Sequence, residues 1–262
     1  MGRALTGGVS PTTAAEVSIV GIGGMPEVRP GDDLARLIRE SLEAQGLGLR
    51  DGDVLVVASK VVSKAEGRAV AELPVAGPRA GLLADETGFE PGLVELILSE
   101  TTAVLRSRPR VLVVETHHGL VCANAGVDRS NTGDSGTALL LPLDSDISAE
   151  RIRRELSDHF GVEIAVLVSD TFGRPFRYGL VNVAIGVAGM NPIHDYRGQT
   201  DPGGLVLQGT EMAVGDEICS AAELVMNKLD GVPAAVVRGY AWEPGAGSMR
   251  ALLRDPATDY FR

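Results

Sequence analysis

Cysteine is scarce in this sequence, which contains only Cys122 and Cys219. The two residues are far apart, and neither lies at a metal-ligand spacing from a histidine. A structural zinc site requires four such ligands, so the sequence indicates none. We expect both side chains to be small buried thiols in a reducing compartment.

Aromatic residues are also sparse, at 4%, and no apolar run is long enough to span a bilayer. The N-terminus lacks the apolar core of a signal peptide. The formal net charge of −11 argues against a surface for nucleic acid or for anionic lipids. We therefore expect a cytoplasmic protein with no nucleic-acid or membrane partner. Anionic substrates would need local basic side chains or metal ions to overcome the overall negative charge.

The rest of the composition is typical of a globular protein, with 262 residues, 44% of them hydrophobic and 23% charged. That length suits one large domain or two modest ones. Residues 1–15 are rich in Gly, Ser, Thr and Ala and predict a flexible leader, which leaves 16–262 for the folded part. The 33 glycines and 14 prolines indicate many turns.

Hydrophobic periodicity predicts both strands and helices, and therefore a mixed α+β fold. Strand patterns cover 17–21, 54–58, 110–115, 162–168, 181–188 and 234–238. Helix patterns cover 34–44, 91–100, 149–160 and 216–229. The order in which the strands pair does not follow from periodicity.

The stretch 162–179, VEIAVLVSDTFGRPFRYG, combines a buried strand with chemically useful side chains. Its apolar run stops before Asp170 and Thr171, and two arginines follow. A strand that ends on an acid places a carboxylate at a sheet edge, where α/β proteins bind their ligands. Carboxylate and hydroxyl oxygens suit Mg²⁺ or Mn²⁺, and arginine suits phosphate or carboxylate. A plain polar cap on a strand would give the same local pattern.

Asp128 supplies a second candidate carboxylate, in the small and polar segment 123–131. Two close carboxylates repel each other, and a divalent cation relieves the repulsion while it binds phosphate oxygens. Asp128 and Asp170 are therefore the candidate catalytic pair. Lys60 and Lys64 are four residues apart, so on a helix they would share a face that suits either phosphate or solvent.

Three familiar motifs do not fit this sequence. GIGGMP, after the first strand, has Pro26 where a dinucleotide-binding fingerprint needs glycine. The nucleotide-binding motif GxxxxGK[ST] is absent. GDSG at 133–136 resembles the nucleophile turn of serine proteases, but His117, His118 and Asp128 lie too close in sequence to converge from separate elements. The two histidines are expected to contact a ligand or to line a turn.

Five longer segments, in order along the chain, resemble one family. They are SIVGIGGMPEVRPGDDL, VVASKVVSKAEGR, CANAGVDRSN, VSDTFGRPFRYG and AAELVMNKLDGVPAAVVRG. These segments are similar to the coenzyme F420-0:L-glutamate ligases (F420 gamma-glutamyl ligases), and the similarity extends over about residues 17–254. Some members carry a C-terminal flavin-binding domain, and this chain resembles the stand-alone form.

The resemblance implies a two-lobed α+β fold, neither Rossmann nor P-loop, that forms a homodimer. It also implies GTP-dependent addition of L-glutamate to the lactyl carboxylate of coenzyme F420-0, with further glutamates joined through γ-linkages. GDP and phosphate would be released, most simply through an acyl phosphate. The implied ligands are thus F420-0, L-glutamate and GTP, together with Mg²⁺ or Mn²⁺ and, as a further candidate, K⁺.

Carried over residue by residue, the resemblance assigns Asp128 and Asp170 to one divalent ion and Thr171 to a second. It assigns contacts with GTP to positions in the matching motifs, namely Met25, Pro26, Glu27, Val28, Ser59, Lys64, Asn131, Met226, Asn227, Lys228, Leu229, Asp230, Gly231, Val232 and Pro233. Lys228 departs from relatives that have an oxygen ligand there, so either the second ion is held differently or Lys228 contacts phosphate. Phe176 replaces a common tryptophan and keeps an apolar ring.

Two alternatives stay open at this stage. The first is a ligase of the same type that uses another carboxylate acceptor, because acceptor specificity depends on the shape of the pocket. The second is a GTP-binding regulatory protein without turnover, which the presence of Lys228 keeps open. No residue of the sequence is identified as the base for the incoming amine.

Overall fold

A computed structural model describes residues 15–129 and 138–259 of the chain. Its strands are β1 (Ser18–Ile22), β2 (Val54–Ala58), β3 (Ala69–Val70), β4 (Thr101–Arg108), β5 (Val111–Thr116), β6 (Val121–Ala123), β7 (Ala138–Leu139), β8 (Ala165–Gly173), β9 (Leu180–Ala188), β10 (His194–Asp195), β11 (Glu211–Met212) and β12 (Ala234–Arg238). Its α-helices are α1 (Leu34–Ala44), α2 (Ser59–Ala65), α3 (Pro78–Thr87), α4 (Pro91–Ser99), α5 (Ser145–Phe160) and α6 (Val214–Met226). The prediction of an α+β fold is confirmed.

The largest sheet has five strands in the order β1-β12-β2-β8-β9. Strands β2 and β8 are parallel, whereas the other neighbouring pairs are antiparallel. A Rossmann fold has a mostly parallel sheet, and its first strand leads directly into a helix. Here β1 is followed by a loop that continues to the start of α1 at Leu34. Both features agree with the prediction that the fold is not a Rossmann fold.

Strand β2 lies in the middle of this sheet, and its first four residues, Val54, Leu55, Val56 and Val57, are fully buried. A strand covered on both faces shows a continuous apolar run instead of alternation. The predicted and observed bounds of β2 coincide.

Helix α1 also has its predicted bounds, because residues within the segment itself form both its N-terminal cap and its apolar face. The side chain of Asp33 accepts a hydrogen bond of 2.9 Å from the backbone N–H of Arg36 and so caps the helix. Leu34, Ile38 and Leu42 recur at helical spacing and are buried.

Helices α5 and α6 pack against the large sheet, α5 on β8 and β9 and α6 on β9, β1 and β12. Helix α5 begins four residues before its predicted start, because Asp144 caps it through a 3.0 Å bond from the backbone N–H of Ile147. The predicted end of α6 was wrong. That helix ends at Met226, since Asn227 has a φ of 49° and turns the chain into a loop.

The prediction that the strand ends at Asp170 was also wrong. Strand β8 continues to Gly173, and Asp170 and Thr171 pair with Val183 and Asn182 of β9. The antiparallel partner β9 supplies backbone hydrogen bonds to this extension, whereas the parallel partner β2 ends opposite Ser169. Asp170 is therefore inside β8, but it lies one residue past the point where the neighbouring strand β2 ends.

A second hydrophobic cluster, separate from the core of the large sheet, joins α3 and α4 to the antiparallel sheet β4-β5-β6. Its buried members are Ala80, Ala84, Leu93, Val94, Ile97, Leu112, Val114 and Ala125. Helix α3 and strand β4 have no counterpart among the predicted elements. Strand β4 is mostly half-buried or exposed, so its sequence lacks the apolar run that marks an inner strand.

Several predictions concern residues outside the described ranges, namely 1–14 of the leader, Asn131 and the GDSG segment 133–136. Within the ranges that are described, none of the helices is both long enough and apolar enough to cross a membrane. Cys122 and Cys219 are free and buried, as predicted.

Candidate active-site cleft

A cleft with a volume of about 1190 Å³ lies where the loop after β1, the β2–α2 junction, the segment after β6, strand β8 and the loop after α6 meet. Most residues singled out by the sequence line it, namely Met25, Pro26, Glu27, Val28, Ser59, Lys64, Asp128, Asp170, Thr171, Met226, Asn227, Lys228, Leu229, Gly231, Val232 and Pro233. Asp230 is not part of the lining, but it accepts a 2.8 Å hydrogen bond from Nδ2 of Asn227.

The parallel pairing of β2 with β8 brings the first two parts of the site together. Ala58 is the partner of Ser169 in this ladder, so the next residues, Ser59 and Asp170, are neighbours. Ser59, the first residue of α2, is buried and donates a 2.8 Å hydrogen bond from Oγ to Oδ1 of Asp170. The segment that carries Lys60 and Lys64 is therefore helical and starts at the end of a buried strand.

A β-bulge in the β8–β9 ladder lies immediately before Asp170. Val168 pairs with Gly186, whereas Ser169 pairs with Ala184, so β9 contributes one extra residue between them. Bulges increase the local twist and change the direction of nearby side chains, and they are common beside active sites.

The surroundings of Asp170 disfavour its charge. Burial raises the pKa of this carboxyl group, and the nearby charge of Asp128 raises it further. Hydrogen bonds from Ser59 and from the backbone of Thr171, and the positive charge of Lys228, act in the opposite direction. Asp128 therefore lies near enough to Asp170 to disfavour its negative charge.

Asp128 is held by its backbone and by an ion pair. Its backbone N–H donates to the carbonyl of Leu139 at 2.9 Å, and its own carbonyl accepts from the N–H of Leu139 at 2.7 Å. Its Oδ2 atom lies 2.5 Å from Nζ of Lys60 on α2. A lysine ammonium thus meets the carboxylate that was predicted to bind a divalent ion.

Thr171 belongs to a network of polar side chains across β8, β9 and α6. Its hydroxyl donates to Oδ1 of Asn182 at 2.8 Å and accepts a short hydrogen bond from Nζ of Lys228. Nδ2 of Asn182 donates to Oε2 of Glu223 at 2.8 Å, and Nζ of Lys228 lies 3.5 Å from Oε1 of the same carboxylate.

The cleft contains all three lysines of the chain, Lys60, Lys64 and Lys228. Lys64 pairs with Glu27, with 2.5 Å between Nζ and Oε1. Each ammonium therefore contacts an oxygen of the cleft lining. The lining as a whole carries four acidic and four basic side chains, so this cleft is less acidic than the protein, whose net charge is −11.

The donor set of the cleft fits one divalent ion of the Mg²⁺ or Mn²⁺ type. Asp128 and Asp170 supply carboxylate oxygens, and mutual repulsion between them would be relieved by a cation. No group of three or more His, Cys, Asp or Glu side chains arranged for a metal ion occurs in the described ranges. Other ligands of such an ion would therefore be hydroxyls, water or substrate oxygens, which is usual for Mg²⁺.

Asn182 and Glu223 are among the polar residues of the cleft lining that sequence reasoning missed. Asn182 is buried and interrupts an otherwise apolar strand, which is the signal that could have identified it. Glu223 lies in the last turn of α6, where an acid is unfavourable next to the helix C-terminus.

The two histidines singled out by the sequence lie outside the cleft. Nε2 of His117 is 3.0 Å from the carbonyl oxygen of Ser99, and Nε2 of His118 is 2.9 Å from that of Pro142. Of the two alternatives for this pair, the structure agrees with residues that line a turn.

Comparison with known proteins places the cleft in a family context. A family model described as F420-0:Gamma-glutamyl ligase matches residues 23–239. This range includes every residue of the candidate site that was predicted from the sequence.

Three relatives, each named coenzyme F420:L-glutamate ligase, are similar over nearly the whole chain. The protein from Methanothermobacter thermautotrophicus is 48% identical over 250 residues, which cover 94% of this chain and 99% of the relative. The one from Methanopyrus kandleri is 46% identical over 242 residues, 90% of this chain and 94% of the relative. The one from Haloarcula marismortui is 42% identical over 255 residues, 94% of this chain and 96% of the relative.

Proposed function

This chain belongs to the F420-0:gamma-glutamyl ligase family, and from that premise we propose that it joins L-glutamate to the lactyl carboxylate of coenzyme F420-0. GTP drives the reaction and is released as GDP and phosphate. Further glutamates are added through γ-linkages. The names of the relatives support the two substrates, whereas GTP and the metal ion come from the resemblance of the site motifs.

One observation carries the proposal: the three lysines and the two candidate aspartates of a strongly acidic chain converge on one cleft. The reaction must assemble a nucleotide, an acceptor carboxylate and glutamate, all of which are anions. The cleft volume of about 1190 Å³ exceeds the roughly 300–1000 Å³ of typical ligand pockets, as several substrates require.

The chemistry begins with activation of the acceptor, because a carboxylate is a poor acyl donor. An oxygen of the lactyl carboxylate attacks the γ-phosphorus of GTP, and the bond from that phosphorus to the bridging oxygen of GDP breaks. The product is an acyl phosphate. The amine nitrogen of glutamate then attacks the acyl carbon, phosphate leaves with its electron pair, and the nitrogen loses a proton as the amide forms.

The residues of the cleft would act by charge and position. Lys64, with Ser59 and the backbone of Met25–Val28, would bind the nucleotide phosphates, together with Asn131 and the segment Met226–Pro233. Asp128 and Asp170 would hold a divalent ion, which when bound supplies positive charge to the transferring phosphoryl group. Lys64 would exchange its present contact with Glu27, which is 72% exposed, for a phosphate oxygen.

Phosphate release and product mass test the proposal together. Purified protein is incubated with GTP, Mn²⁺, L-glutamate and F420-0, and then with each substrate omitted in turn. We expect phosphate release only when all are present, and a deazaflavin product whose mass has increased by one or more glutamyl residues.

The alternatives give different results in the same experiment. GTP binding without phosphate release, in the complete mixture, would indicate a regulatory protein. Phosphate release that needs glutamate and a different carboxylate would indicate a ligase of the same type with another acceptor. Homodimer formation stays a prediction, which sedimentation equilibrium of the same preparation would test.

A further inference from the structure

Lys228 reaches the centre of the cleft from the loop that follows α6. The helix ends at Met226, and the left-handed turn at Asn227 directs the next residue toward β8. Nζ of Lys228 then contacts Oγ1 of Thr171 and lies 3.5 Å from Oε1 of Glu223. The ammonium thus occupies a position between oxygen atoms of a strand and of a helix.

The hydrogen bonds around Thr171 show that its hydroxyl oxygen is directed at a cation. An ammonium has only donors, so the Thr171 hydroxyl must accept from Lys228 and must use its own hydrogen elsewhere. That hydrogen goes to Oδ1 of Asn182, at 2.8 Å. Asn182 is held in this orientation because its Nδ2 donates to Glu223 at 2.8 Å. The lone pairs of Oγ1 therefore face the ammonium.

The arrangement around Asp128 is different. Its Oδ2 atom lies 2.5 Å from Nζ of Lys60, and a carboxylate has two oxygens that can serve two cations at once. The single hydroxyl oxygen of Thr171 cannot accept the ammonium and also bind a metal ion without placing two cations within a few ångströms of each other. Lys228 therefore competes directly with a metal ion, whereas Lys60 can remain next to one.

We propose that the ammonium of Lys228 takes the place of a second divalent ion in this cleft. A divalent ion would then supply positive charge on one side of the transferring phosphoryl group, bound by Asp128 and Asp170. The ammonium of Lys228 would supply it on the other side, positioned by Thr171 and Glu223. The inference rests on the proposed function for the identity of that group, but the number of bound metal ions can be measured without turnover.

Metal stoichiometry tests the inference directly. The protein is saturated with GDP and Mn²⁺, free ions are removed, and bound Mn²⁺ per chain is counted by elemental analysis and by electron paramagnetic resonance. We expect one ion in the parent and in Lys228→Arg, which keeps the positive charge, and two ions in Lys228→Gln, whose amide oxygen can act as a ligand. Arg29→Gln is a matched control, because it also replaces a basic side chain of the cleft lining by glutamine, and it should bind one ion.

Two ions in the parent protein, or one ion in a folded Lys228→Gln variant, would overturn the inference. Thermal unfolding of each variant identifies any that fails to fold, and Lys228→Asn, whose amide oxygen can also act as a ligand, then serves as a second neutral replacement that must also admit the second ion. The mass of the deazaflavin product from the parent protein is measured separately. A parent that binds one ion but forms no glutamylated product would contradict the proposed function and leave the role of Lys228 intact.

Discussion

Ser59 and Asp170 are 111 residues apart in sequence, yet Oγ of Ser59 donates a 2.8 Å hydrogen bond to Oδ1 of Asp170. The parallel ladder of β2 and β8 produces this contact, because it aligns Ala58 with Ser169 and so brings the next residue of each chain together. The start of α2, a helix that carries two of the three lysines, is thereby fixed beside Asp170. The parallel direction of β2 and β8 therefore brings the basic helix α2 next to the carboxyl group of Asp170.

Removal of the charge of Asp170 should abolish turnover without unfolding the protein. In Asp170→Asn the remaining Oδ1 still accepts from Ser59, but the negative charge that a divalent ion needs is lost. We expect Mn²⁺-dependent phosphate release to fall at least about 100-fold, with an unchanged thermal transition. Asp158→Asn, at an exposed position on α5, is the control and should keep parental activity. Parental activity in Asp170→Asn would exclude this residue as a metal ligand.

Loss of the Lys64 ammonium should weaken GTP binding selectively. A charge-assisted hydrogen bond contributes about 1.5–3 kcal/mol, so Lys64→Ala should raise the Kd for GTP by about 10-fold or more. Binding of glutamate should change much less. Titration calorimetry with each ligand measures both constants, and Arg154→Ala on the exposed side of α5 is the comparison. An equal loss of affinity for GTP and for glutamate would contradict the proposal that Lys64 binds a phosphate group of GTP.

The ion pair between Asp53 and Arg238 should be important for folding. Asp53 is fully buried and accepts two hydrogen bonds from Arg238, at 2.8 Å from Nε and 2.7 Å from Nη2. Arg238→Met leaves that carboxylate buried without its partner, and we expect a loss of about 3 kcal/mol in the free energy of unfolding. Urea denaturation measures the change.

An exposed ion pair provides the comparison for Arg238→Met. Arg36 pairs with Glu40 one helical turn away, where both side chains are about half exposed to solvent. Arg36→Met should therefore lower the free energy of unfolding much less than Arg238→Met does, because solvent screens an exposed ion pair. Similar losses in the two variants would show that burial of Asp53 does not strengthen its dependence on Arg238.

Asp216 should make stability depend on pH in the direction opposite to a salt-bridged acid. Burial raises the pKa of this carboxyl group above its ordinary value, although a 2.9 Å hydrogen bond from the N–H of Ala184 partly opposes the effect. Between the ordinary pKa, about 3.9, and the raised folded value, the folded state binds more protons than the unfolded state. Its contribution to the free energy of unfolding therefore falls as pH rises through that interval.

Comparison with Asp216→Asn isolates this contribution, because asparagine keeps the oxygen that accepts from Ala184 and does not titrate. In urea denaturation, the stability of the variant relative to the parent should increase as the pH rises above about 4. Asp158→Asn, at an exposed position on α5, is the surface comparison for the same measurement. If the stability of Asp216→Asn relative to the parent decreased as the pH rises, the pKa of Asp216 would be lowered in the folded state and the assigned direction would be wrong.

Elements whose boundaries depend on local chemistry were predicted well. Strand β2 is apolar at every inner position, and α1 has both an aspartate cap and a regular apolar face, so each agrees with its predicted bounds. The errors occur where distant partners decide the outcome. Strand β8 extends past Asp170 because β9 pairs with it, and nothing within 162–168 indicates that partner.

The candidate site shows the same division. Its aspartates, lysines and Thr171 could be selected from residue type and from family motifs, whereas their pairing could not. The contacts of Lys228 with Thr171 and Glu223, and the part played by Asn182, depend on how β8, β9 and α6 pack. Asn182 carries one weak signal, a polar residue in an apolar strand.

By itself, the sequence determined the class of fold, the absence of Rossmann and P-loop motifs, the extent of some helices and strands such as α1 and β2, and the family. These follow from periodicity, from caps and from motifs that are each contained in a short segment. Tertiary structure alone decided that Ser59 contacts Asp170, that each lysine ammonium meets an oxygen of one cleft, and that Lys228 lies beside Thr171. Those contacts join residues far apart in the chain, and their geometry is set by the order, direction and register of strands, which local sequence does not encode.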